Sequence, residues 1–470
     1  MVGRDLSTGS IRSHTWNLAW PTMLSIFFQT VYGLVDAWWV GRLSEFAIAA
    51  VGISQITLFA MIALTIGVTV GSGVLMAMHI GKRDIPGAER VLGQSFVLNF
   101  FAAVFFTTVA LVFRSPLLQL NGAEEQSILP LALDYFTITA SASFTMFLFF
   151  AVVFGFNAQG DNRTVTVLFA CSAVLNAVLD PLLIFGWAGF PELGIRGAAV
   201  ATVISQVLIL VAGVTLLKVR PMMVRFRFGN LTARWESVKR VLSIGFPAAL
   251  TSVLGPVALA ILAGIVASRF DAAGAAGFSI GFRVEFFGFL PAVGFGVAAL
   301  ALIGQNMGAR NPERARAAFR TAVLFAFVLG SVIGGLAALM NGAIVGTFSD
   351  DPVIAGYARS YLTSVPLTYG VFAASFVVVS SFQALGHSWS GFAVTALRVT
   401  IMLVLGLAVT AGLAPQLNRL WWVVIGANLA AAAVGLLWLR GTFARVTAAA
   451  AAAGSGPAAA DPAPAPASAS

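Results

Sequence analysis

Three carboxylates lie deep inside long apolar stretches of the sequence, where an ionised side chain is energetically unfavourable. They are Asp36, Asp180 and Glu285. A carboxylate at the centre of a lipid bilayer costs about 2.5–3.5 kcal/mol on insertion scales, so each of these residues requires a partner or a function. A carboxylate held away from water can take up a proton, and it can also hold a cation that prefers oxygen ligands, such as sodium. Cation binding is therefore the first chemistry that the sequence indicates.

Polar side chains accompany two of these acids at helical spacing. Tyr32 precedes Asp36 by four residues and Asn176 precedes Asp180 by four, so each pair shares one face of a helix. Two acids in one low-dielectric pocket are poorly solvated and repel each other, which favours cation uptake. The alternative is that each acid is paired and purely structural. We predict that a coupling site, for a proton or for sodium held by the two aspartates, contains Asp36, Asp180, Asn176, Tyr135 and Thr202. No resident metal and no other cofactor are predicted.

The composition indicates that lipid surrounds most of the chain. Hydrophobic residues make up 59% of its 470 residues, charged residues make up only 10%, and the mean hydropathy is +0.93. Soluble domains carry about 25% charged residues. In hydrocarbon, helices satisfy their own backbone groups. Because stretches such as 56–66 and 403–413 are almost continuously apolar and do not alternate, we predict an all-α, polytopic membrane protein.

Twelve stretches are long enough to cross a bilayer as helices of about 20 residues. Numbered as helices 1 to 12, they are predicted at 16–40, 46–79, 92–113, 129–157, 164–188, 197–217, 242–267, 273–306, 319–341, 355–384, 391–413 and 419–439. With the N-terminus inside, 19 of the 27 Lys and Arg residues fall on the cytoplasmic side and five outside. The positive-inside rule then predicts that both termini are cytoplasmic, in a bacterial-type inner membrane. The net charge of +9 is explained without a nucleic-acid partner.

The second half of the chain repeats the first at an offset of 226 or 227 residues. Pro21, near the start of helix 1, matches Pro247, near the start of helix 7. Residues 81–84 match 308–311, and Phe156-Asn157 matches Phe382-Gln383. Each half holds six spans, an even number, so both halves enter the membrane from the same side. We therefore predict two six-helix lobes related by a pseudo-twofold axis along the membrane normal, with a cleft between them.

The repeat divides the chain into five segments. We predict a cytoplasmic N-terminus over 1–15, an N-lobe over 16–217, a cytoplasmic linker over 218–241, a C-lobe over 242–440 and a disordered tail over 441–470. Beyond Thr447 the tail is mostly Ala, Pro, Ser and Gly, a low-complexity composition that cannot build a core.

The cleft between the lobes is predicted to be largely apolar, with few acids. Such a cleft suits amphipathic, often cationic small molecules. We predict that the side chains facing it include Gln29, Tyr32, Asn157, Glu285 and Arg283. Glu285 and Arg283 are two positions apart on helix 8 and so do not face each other. Glu285 either faces the cleft or pairs with Arg398 on helix 11. A monomer is expected.

These features together resemble the multidrug and toxic compound extrusion (MATE) family. The resemblance rests on residues 29–36 with Val40-Gly41 in helix 1, on residues 175–181 (LNAVLDP) in helix 5, on residues 194–206, and on the doubled Gly-x-Arg motif after helices 2 and 8. It covers roughly residues 12–440. It implies secondary active efflux of drugs and toxins, driven by inward flow of protons or sodium.

The acid pair in the N-lobe resembles the branch of that family named after DNA-damage-inducible protein F. In that branch the aspartates of helices 1 and 5 carry coupling, which here are Asp36 and Asp180, with Asn176, Tyr135 and Thr202 in the accompanying polar network. Another branch has its coupling acids in helices 7 and 10. Helix 7 here has no acid between 247 and 267, and helix 10 has none after Tyr361, which argues against that mechanism.

Two other function classes remain as alternatives. The first is a flippase for lipid-linked sugars of the same superfamily, which would use a cationic cleft for a pyrophosphate, whereas here Arg283 and Arg398 are the only deep cations. The second is a membrane-embedded enzyme, which would need a metal or acid cluster at one face. The three histidines show no metal-ligand spacing, so we predict that the protein is not an enzyme.

Overall fold

Helices account for almost all of the chain that the computed structural model describes, namely residues 5–123, 126–232, 234–410 and 417–454. No strand occurs within these ranges. Within these ranges, ten helices are long and apolar enough to cross a membrane, and two helices bent by 46° would together make an eleventh crossing. Helix 2, the remaining predicted span, has 37 residues and carries the shorter apolar stretches Glu45–Phe59 and Thr65–Gly81. The predicted all-α, polytopic architecture is confirmed.

The helices follow the order and numbering of the predicted spans, and most extend a few residues beyond them. They are Ile11–Gly41 (helix 1), Glu45–Gly81 (2), Ile85–Val112 (3), Ile128–Ser141 with Ser143–Ala158 (4), Asn162–Ile184 (5), Ile195–Val219 (6), Trp235–Arg269 (7), Ala272–Gly308 (8), Pro312–Leu339 (9), Pro352–Ala384 (10), Ser388–Thr410 (11) and Leu417–Gly454 (12). The short helices Arg114–Leu120 and Asn341–Gly346 precede helices 4 and 10.

The Gly-x-Arg motifs form the same turn in both halves. Arg83 and Arg310 have φ angles of 59° and 56°, in the left-handed region. The next residue, Asp84 or Asn311, caps the following helix by accepting a hydrogen bond from the backbone N–H three residues later, at 2.9 and 3.0 Å. Such a side-chain cap satisfies a donor that the first turn of a helix leaves free. The repeat inferred from the sequence is thus also a structural repeat.

Each lobe has its own buried core, and one further cluster joins the lobes. Clusters around Phe136 and Phe156 belong to the N-lobe and the linker, and a cluster around Trp421 belongs to the C-lobe. The shared cluster packs Leu18 of helix 1 with Phe295 of helix 8. The lobes are therefore separate packing units with one common hydrophobic contact.

The two lobes meet along the halves of helices 1, 2, 7 and 8 that are nearest to the N-terminal segment. Glycines allow the close approach, because an added β-carbon would overlap the backbone of the other lobe at Gly67, Gly71, Gly81 and Gly308. In the other halves of helices 1, 2 and 7, a β-carbon would meet no atom within 4 Å at Gly33, Gly52, Gly255 and Gly264. We call the end where the lobes touch the closed end.

The segment before helix 1 lies across the closed end. Leu6 is fully buried, its N–H donates to Gln305 Oε1 at 3.0 Å, and its carbonyl accepts from Asn306 Nδ2 at 3.2 Å. Gln305 Nε2 in turn donates to the carbonyl of Ala158 in helix 4 at 2.7 Å. The predicted cytoplasmic N-terminus over 1–15 therefore includes the start of helix 1, which begins at Ile11, and the buried Leu6 between the lobes, while its cytoplasmic location stays a prediction.

Two other predicted boundaries need correction. Helix 6 continues to Val219 and helix 7 begins at Trp235, so the linker is shorter than the predicted 218–241. Helix 12 continues to Gly454, so residues 441–454 are helical and not disordered. The run of alanines there has the highest helix propensity of any residue, which outweighs its lack of a buried face. The rest of the predicted tail, 455–470, lies outside the described residues.

Candidate functional site

Asp36 of helix 1 and Asp180 of helix 5 lie in one buried pocket of the N-lobe. Asp36 is 1% exposed and Asp180 is 0% exposed, and the two carboxylates are near enough to interact electrostatically. Helix 5 is held against helix 1 because the Thr166 hydroxyl donates to the carbonyl of Pro21 at 2.6 Å and Asn162 Nδ2 donates to that of Leu18 at 2.9 Å. The structure thus brings together the two acids that the sequence analysis singles out, while their role in coupling stays a prediction.

The other three predicted members of the coupling site lie in the same pocket. Asn176 Nδ2 donates a 3.0 Å hydrogen bond to Asp180 Oδ1, one helical turn away. Tyr135 of helix 4 and Thr202 of helix 6 are buried beside each other and near the acid pair. Four helices of the N-lobe, numbers 1, 4, 5 and 6, therefore contribute side chains to one polar site.

Gln55 of helix 2 is a member of this site that the sequence analysis missed. Its Nε2 donates to Asp36 Oδ2 at 3.5 Å, and its side chain also lies beside Tyr135. The only sign of it in the sequence is that an amide side chain stands within an otherwise apolar helix. It carries no charge and stands at no recognisable spacing from the acids in sequence, so only the packing of helix 2 against helix 4 reveals it.

Five oxygen atoms of this site are buried and have no hydrogen-bond partner among the described residues. They are Tyr32 OH, Asp36 Oδ1, Asn176 Oδ1, Asp180 Oδ2 and Thr202 Oγ1. Buried polar atoms are almost always satisfied, so a cluster of orphans indicates space for a further partner. Carboxylate, amide and hydroxyl oxygens are suited to a proton shared between acids or to a hard cation. The donor set therefore fits either coupling ion that the sequence suggests.

A pocket adjoins the acid site on the side of helices 4, 5 and 6. It has a volume of about 160 Å³ and is lined by Gln29, Tyr32, Met146, Phe149, Phe169, Ser172, Gln206 and Ile209. Typical sites for drug-sized ligands measure about 300–1,000 Å³, so this pocket would admit part of such a molecule. Tyr32 belongs to both places, because its ring lines the pocket and its hydroxyl lies near both carboxylates. Two of the predicted cleft residues, Gln29 and Tyr32, therefore adjoin the coupling site.

The remaining predicted cleft residues are not at this pocket. Asn157 is 7% exposed and lies at the closed end, since it is the next-to-last residue of helix 4 and precedes Ala158, which is bonded to Gln305. Its assignment to the cleft stays a prediction, since helix 4 carries Asn157 to the end where the lobes touch, beside the bond between Ala158 and Gln305. Arg283 is exposed and lies over the ring of Phe348 at 5.9 Å.

Glu285 lies in the C-lobe, where its Oε2 accepts a 2.5 Å hydrogen bond from the Tyr361 hydroxyl. Arg398 interacts with it electrostatically, but the two side chains do not form an ion pair within 4 Å. Glu285 and Arg283 have separate partners, as their spacing on helix 8 predicts. The C-lobe thus holds a polar cluster of its own, apart from the acid pair.

Comparison with known proteins identifies the family. The model of the MatE family matches residues 21–182 and, a second time, residues 247–408. The chain belongs to the MatE family. The two matches correspond to the two lobes and are offset by 226 residues, the offset read from the sequence. MATE proteins are transporters, which confirms that the protein is not an enzyme.

Individual relatives agree with this assignment. The chain is 27% identical over 390 residues to a protein of Shewanella oneidensis named "FAD transporter", covering 82% of this chain and 85% of that protein. It is 29% identical over 349 residues to a protein of Thermotoga maritima named "Probable multidrug resistance protein NorM", covering 73% and 74%. A solved structure described as an outward-facing conformation of a multidrug resistance MATE family transporter superposes with a TM-score of 0.88 at 25% identity, covering 95% of this chain and 99% of that one. The protein is therefore a MATE transporter, with relatives that are named for multidrug resistance.

Proposed function

We propose that this transporter exports amphipathic, largely cationic small molecules in exchange for an inward-moving cation, either a proton or sodium. The observation that carries the proposal is the buried pair Asp36 and Asp180, which lies in one polar site with Tyr32, Asn176 and Thr202 and has a carboxylate oxygen without a partner on each acid. Two buried carboxylates without a cationic partner within 4 Å in the described chain are unfavourable unless they hold a cation. A positively charged substrate or a coupling ion would neutralise this negative charge, but the two would not bind at the same time.

The exchange would follow from competition at the N-lobe site. A cationic compound bound at the pocket beside Tyr32 partly neutralises the two acids and so lowers their affinity for a proton or sodium. Entry of the coupling ion from the side of higher concentration neutralises the pair and removes the attraction for the compound. A ligand can shift a conformational equilibrium only by its differential affinity for the two states, and here that difference would be the charge of the site.

The closed end supports an alternating-access cycle. The lobes touch through glycine contacts at Gly67, Gly81 and Gly308, whereas Gly33 and Gly255 in the other halves of helices 1 and 7 have no such contact. Because the Lys and Arg distribution predicts a cytoplasmic location for both termini, we infer that the closed end faces the cytoplasm and that the acid site opens outward in this state. Rocking of the two lobes about their interface would open the opposite side. The bacterial relatives support an inner-membrane location.

The test is efflux of a fluorescent cation such as ethidium from proteoliposomes that contain the purified protein. Proton and sodium gradients are imposed separately, each with the other ion equal on both sides. We expect export under one gradient and little under the other. Export that is independent of both gradients, or absent under both, would disprove the antiport mechanism.

A substrate of a different charge is the second candidate, because the Shewanella relative is named for transport of FAD. FAD carries an anionic pyrophosphate, and the C-lobe offers the deep cation Arg398. A flippase for lipid-linked pyrophosphates would need the same charge. The acidic N-lobe site disfavours both of these anionic substrates. Transport of FAD or of a lipid-linked sugar, without transport of ethidium, would support the corresponding alternative function.

A further inference from the structure

Positions that line the pocket of the N-lobe have equivalents in the C-lobe. The second segment of helix 4 begins at Ser143 and helix 5 begins at Asn162, and the matching helices begin at Tyr369 and Ser388, each 226 residues later. The same offset relates Met146 and Ser172, which line the N-lobe pocket, to Phe372 and Arg398. A small hydroxyl in one lobe is therefore replaced by a guanidinium at the equivalent position of the other.

Arg398 lies near the middle of helix 11 and makes few bonds there. It donates to Asn428 Oδ1 at 3.4 Å, and its guanidinium lies 5.1 Å from the centre of the Phe372 ring. Asn428 is held with its oxygen towards Arg398, since its Nδ2 donates to Thr368 Oγ1 at 3.1 Å. No carboxylate lies within 4 Å of Arg398 in the part of the chain that the structure describes. Most of its five N–H donors are thus available to another group.

Glu285 of helix 8 lies near Arg398. One of its oxygens accepts from Tyr361, and the charge of Glu285 interacts with that of Arg398 without a direct ion pair. The hydroxyl of Tyr369, a residue that is 2% exposed, also lies near Glu285 and has no hydrogen-bond partner among the described residues. The C-lobe cluster therefore holds two opposite charges that are kept apart, together with a buried hydroxyl that has no partner among the described residues.

We propose that this C-lobe cluster of Arg398, Glu285 and Tyr369 is a second substrate site, which binds the polar end of zwitterionic compounds. The anionic group of the compound would bind Arg398, its ammonium group would bind Glu285, and Tyr369 would supply a hydrogen bond between them. Had Arg398 and Glu285 been paired directly, they would satisfy each other and offer nothing to a ligand. Held apart, they complement a ligand of the opposite charge pattern, and they disfavour one that carries a single charge. The N-lobe pocket has no such cation and would not make this distinction.

This inference rests on the proposed export function for its purpose, but the site can be tested by equilibrium binding alone. The purified protein in nanodiscs is titrated with norfloxacin, which has a carboxylate and an ammonium near neutral pH, and with ethidium, a permanent cation without an acidic group. The variants are Arg398→Gln and Glu285→Gln, and Arg359→Gln at an exposed site of the same lobe is the matched control. We expect Arg398→Gln to weaken norfloxacin binding about tenfold or more and to leave ethidium binding within about twofold. Glu285→Gln should also weaken norfloxacin binding, and the control should bind both probes as the wild type does.

Several outcomes would overturn the inference. Wild-type protein that does not bind norfloxacin, or an Arg398→Gln variant that binds it unchanged, would remove the site. Equal loss of both probes in Arg398→Gln would indicate a structural role. FAD binding that needs Arg398 but not Glu285, with norfloxacin unaffected, would make it an anion site. The proposed function fails separately: intact norfloxacin binding with no gradient-driven ethidium export would contradict antiport and leave this site in place.

Discussion

The side chain of Gln305 accepts a hydrogen bond from the backbone N–H of Leu6 at 3.0 Å. Because the Gln305 amide also donates to the carbonyl of Ala158, one side chain joins the N-terminal segment, the C-lobe and the N-lobe at the closed end. Leu6 itself is fully buried in the cluster that both lobes share. The N-terminal segment is therefore part of the interface that closes this end.

Replacing the buried anchor of that segment should loosen the closed end. We expect Leu6→Ala to weaken it by about 2 kcal/mol or more, because the change removes buried methyl groups and leaves a cavity. The measurement is the rate at which a thiol reagent modifies Ala248→Cys, at a 1% exposed position between the lobes, in a Cys171→Ala background. Leu231→Ala, in the exposed linker, is the control. An unchanged modification rate in the Leu6 variant would contradict this role.

Neutral replacements of the acid pair should stop coupled export and leave the protein folded. Asp36→Asn and Asp180→Asn keep the size of each side chain and remove its charge, so we expect gradient-driven ethidium export to fall to background. Thermal stability in detergent should hold or rise, because a buried unpaired carboxylate is unfavourable. Asp351→Asn is the matched control, since that exposed acid caps helix 10 and asparagine caps equally well. Full transport by either pocket variant would rule out the assignment.

Gln55 should tune the affinity for the coupling ion. Its amide is the observed donor to Asp36 Oδ2, and Gln55→Leu would remove that donor at nearly constant volume. Because this hydrogen bond is long and the Gln55 side chain is exposed, its loss is worth about 0.5–1.5 kcal/mol, so we expect the ion concentration for half-maximal export to change about threefold to tenfold. Gln29→Leu, on the pocket side of helix 1, serves for comparison and should affect the substrate more than the ion. Equal ion dependence in wild type and Gln55→Leu would exclude Gln55 from the site.

The glycines of the closed end should not tolerate even one added carbon. At Gly81 a β-carbon would overlap the carbonyl of Gln305, so Gly81→Ala should force the helices apart and cost about 1–3 kcal/mol. Gly52→Ala, where the same atom meets open space, should be neutral or slightly stabilising, because alanine favours helix. Thermal melting of the two variants distinguishes them, and an equal effect would mean that the close approach is not needed.

The cap of helix 3 should make stability depend on pH. The backbone N–H of Gly87, together with His79, holds the pKa of Asp84 below its usual value of 3.8. A carboxyl group with a lowered pKa stabilises the fold above its unfolded pKa, and this contribution is lost as the pH falls through the folded pKa, below about 4. Melting temperatures measured from neutral pH to about pH 3 should fall less steeply in Asp84→Asn, which keeps the cap. Identical profiles would contradict the assignment.

The sequence predicts the helices and the acid site well because both depend on strong local signals. Long apolar stretches and the 226-residue offset determine the twelve crossings, and a carboxylate such as Asp180 is conspicuous among apolar neighbours. Side-chain contacts between distant segments leave no such signal. Gln55 joins the site only through helix packing. Leu6 lies in a polar stretch of sequence, and only its hydrogen bond to Gln305 shows that it belongs to the interface between the lobes. The match of Asn157 with Gln383 locates it in the repeat but not along the membrane normal, so its place beside the closed end could not be predicted.

Gly81 and Gly308 each pack against the backbone of the other lobe, so a substitution in one half affects the other half. An added β-carbon at Gly81 would strike the backbone of the C-lobe at Gln305, and one at Gly308 would strike that of the N-lobe at Met78. A larger side chain at either glycine could be accommodated only if the backbone of the other half moved. Elsewhere the halves differ in charge, with Ser172 in one half and Arg398 at the equivalent position of the other. At this crossing, by contrast, a change in one half requires a matching change in the other.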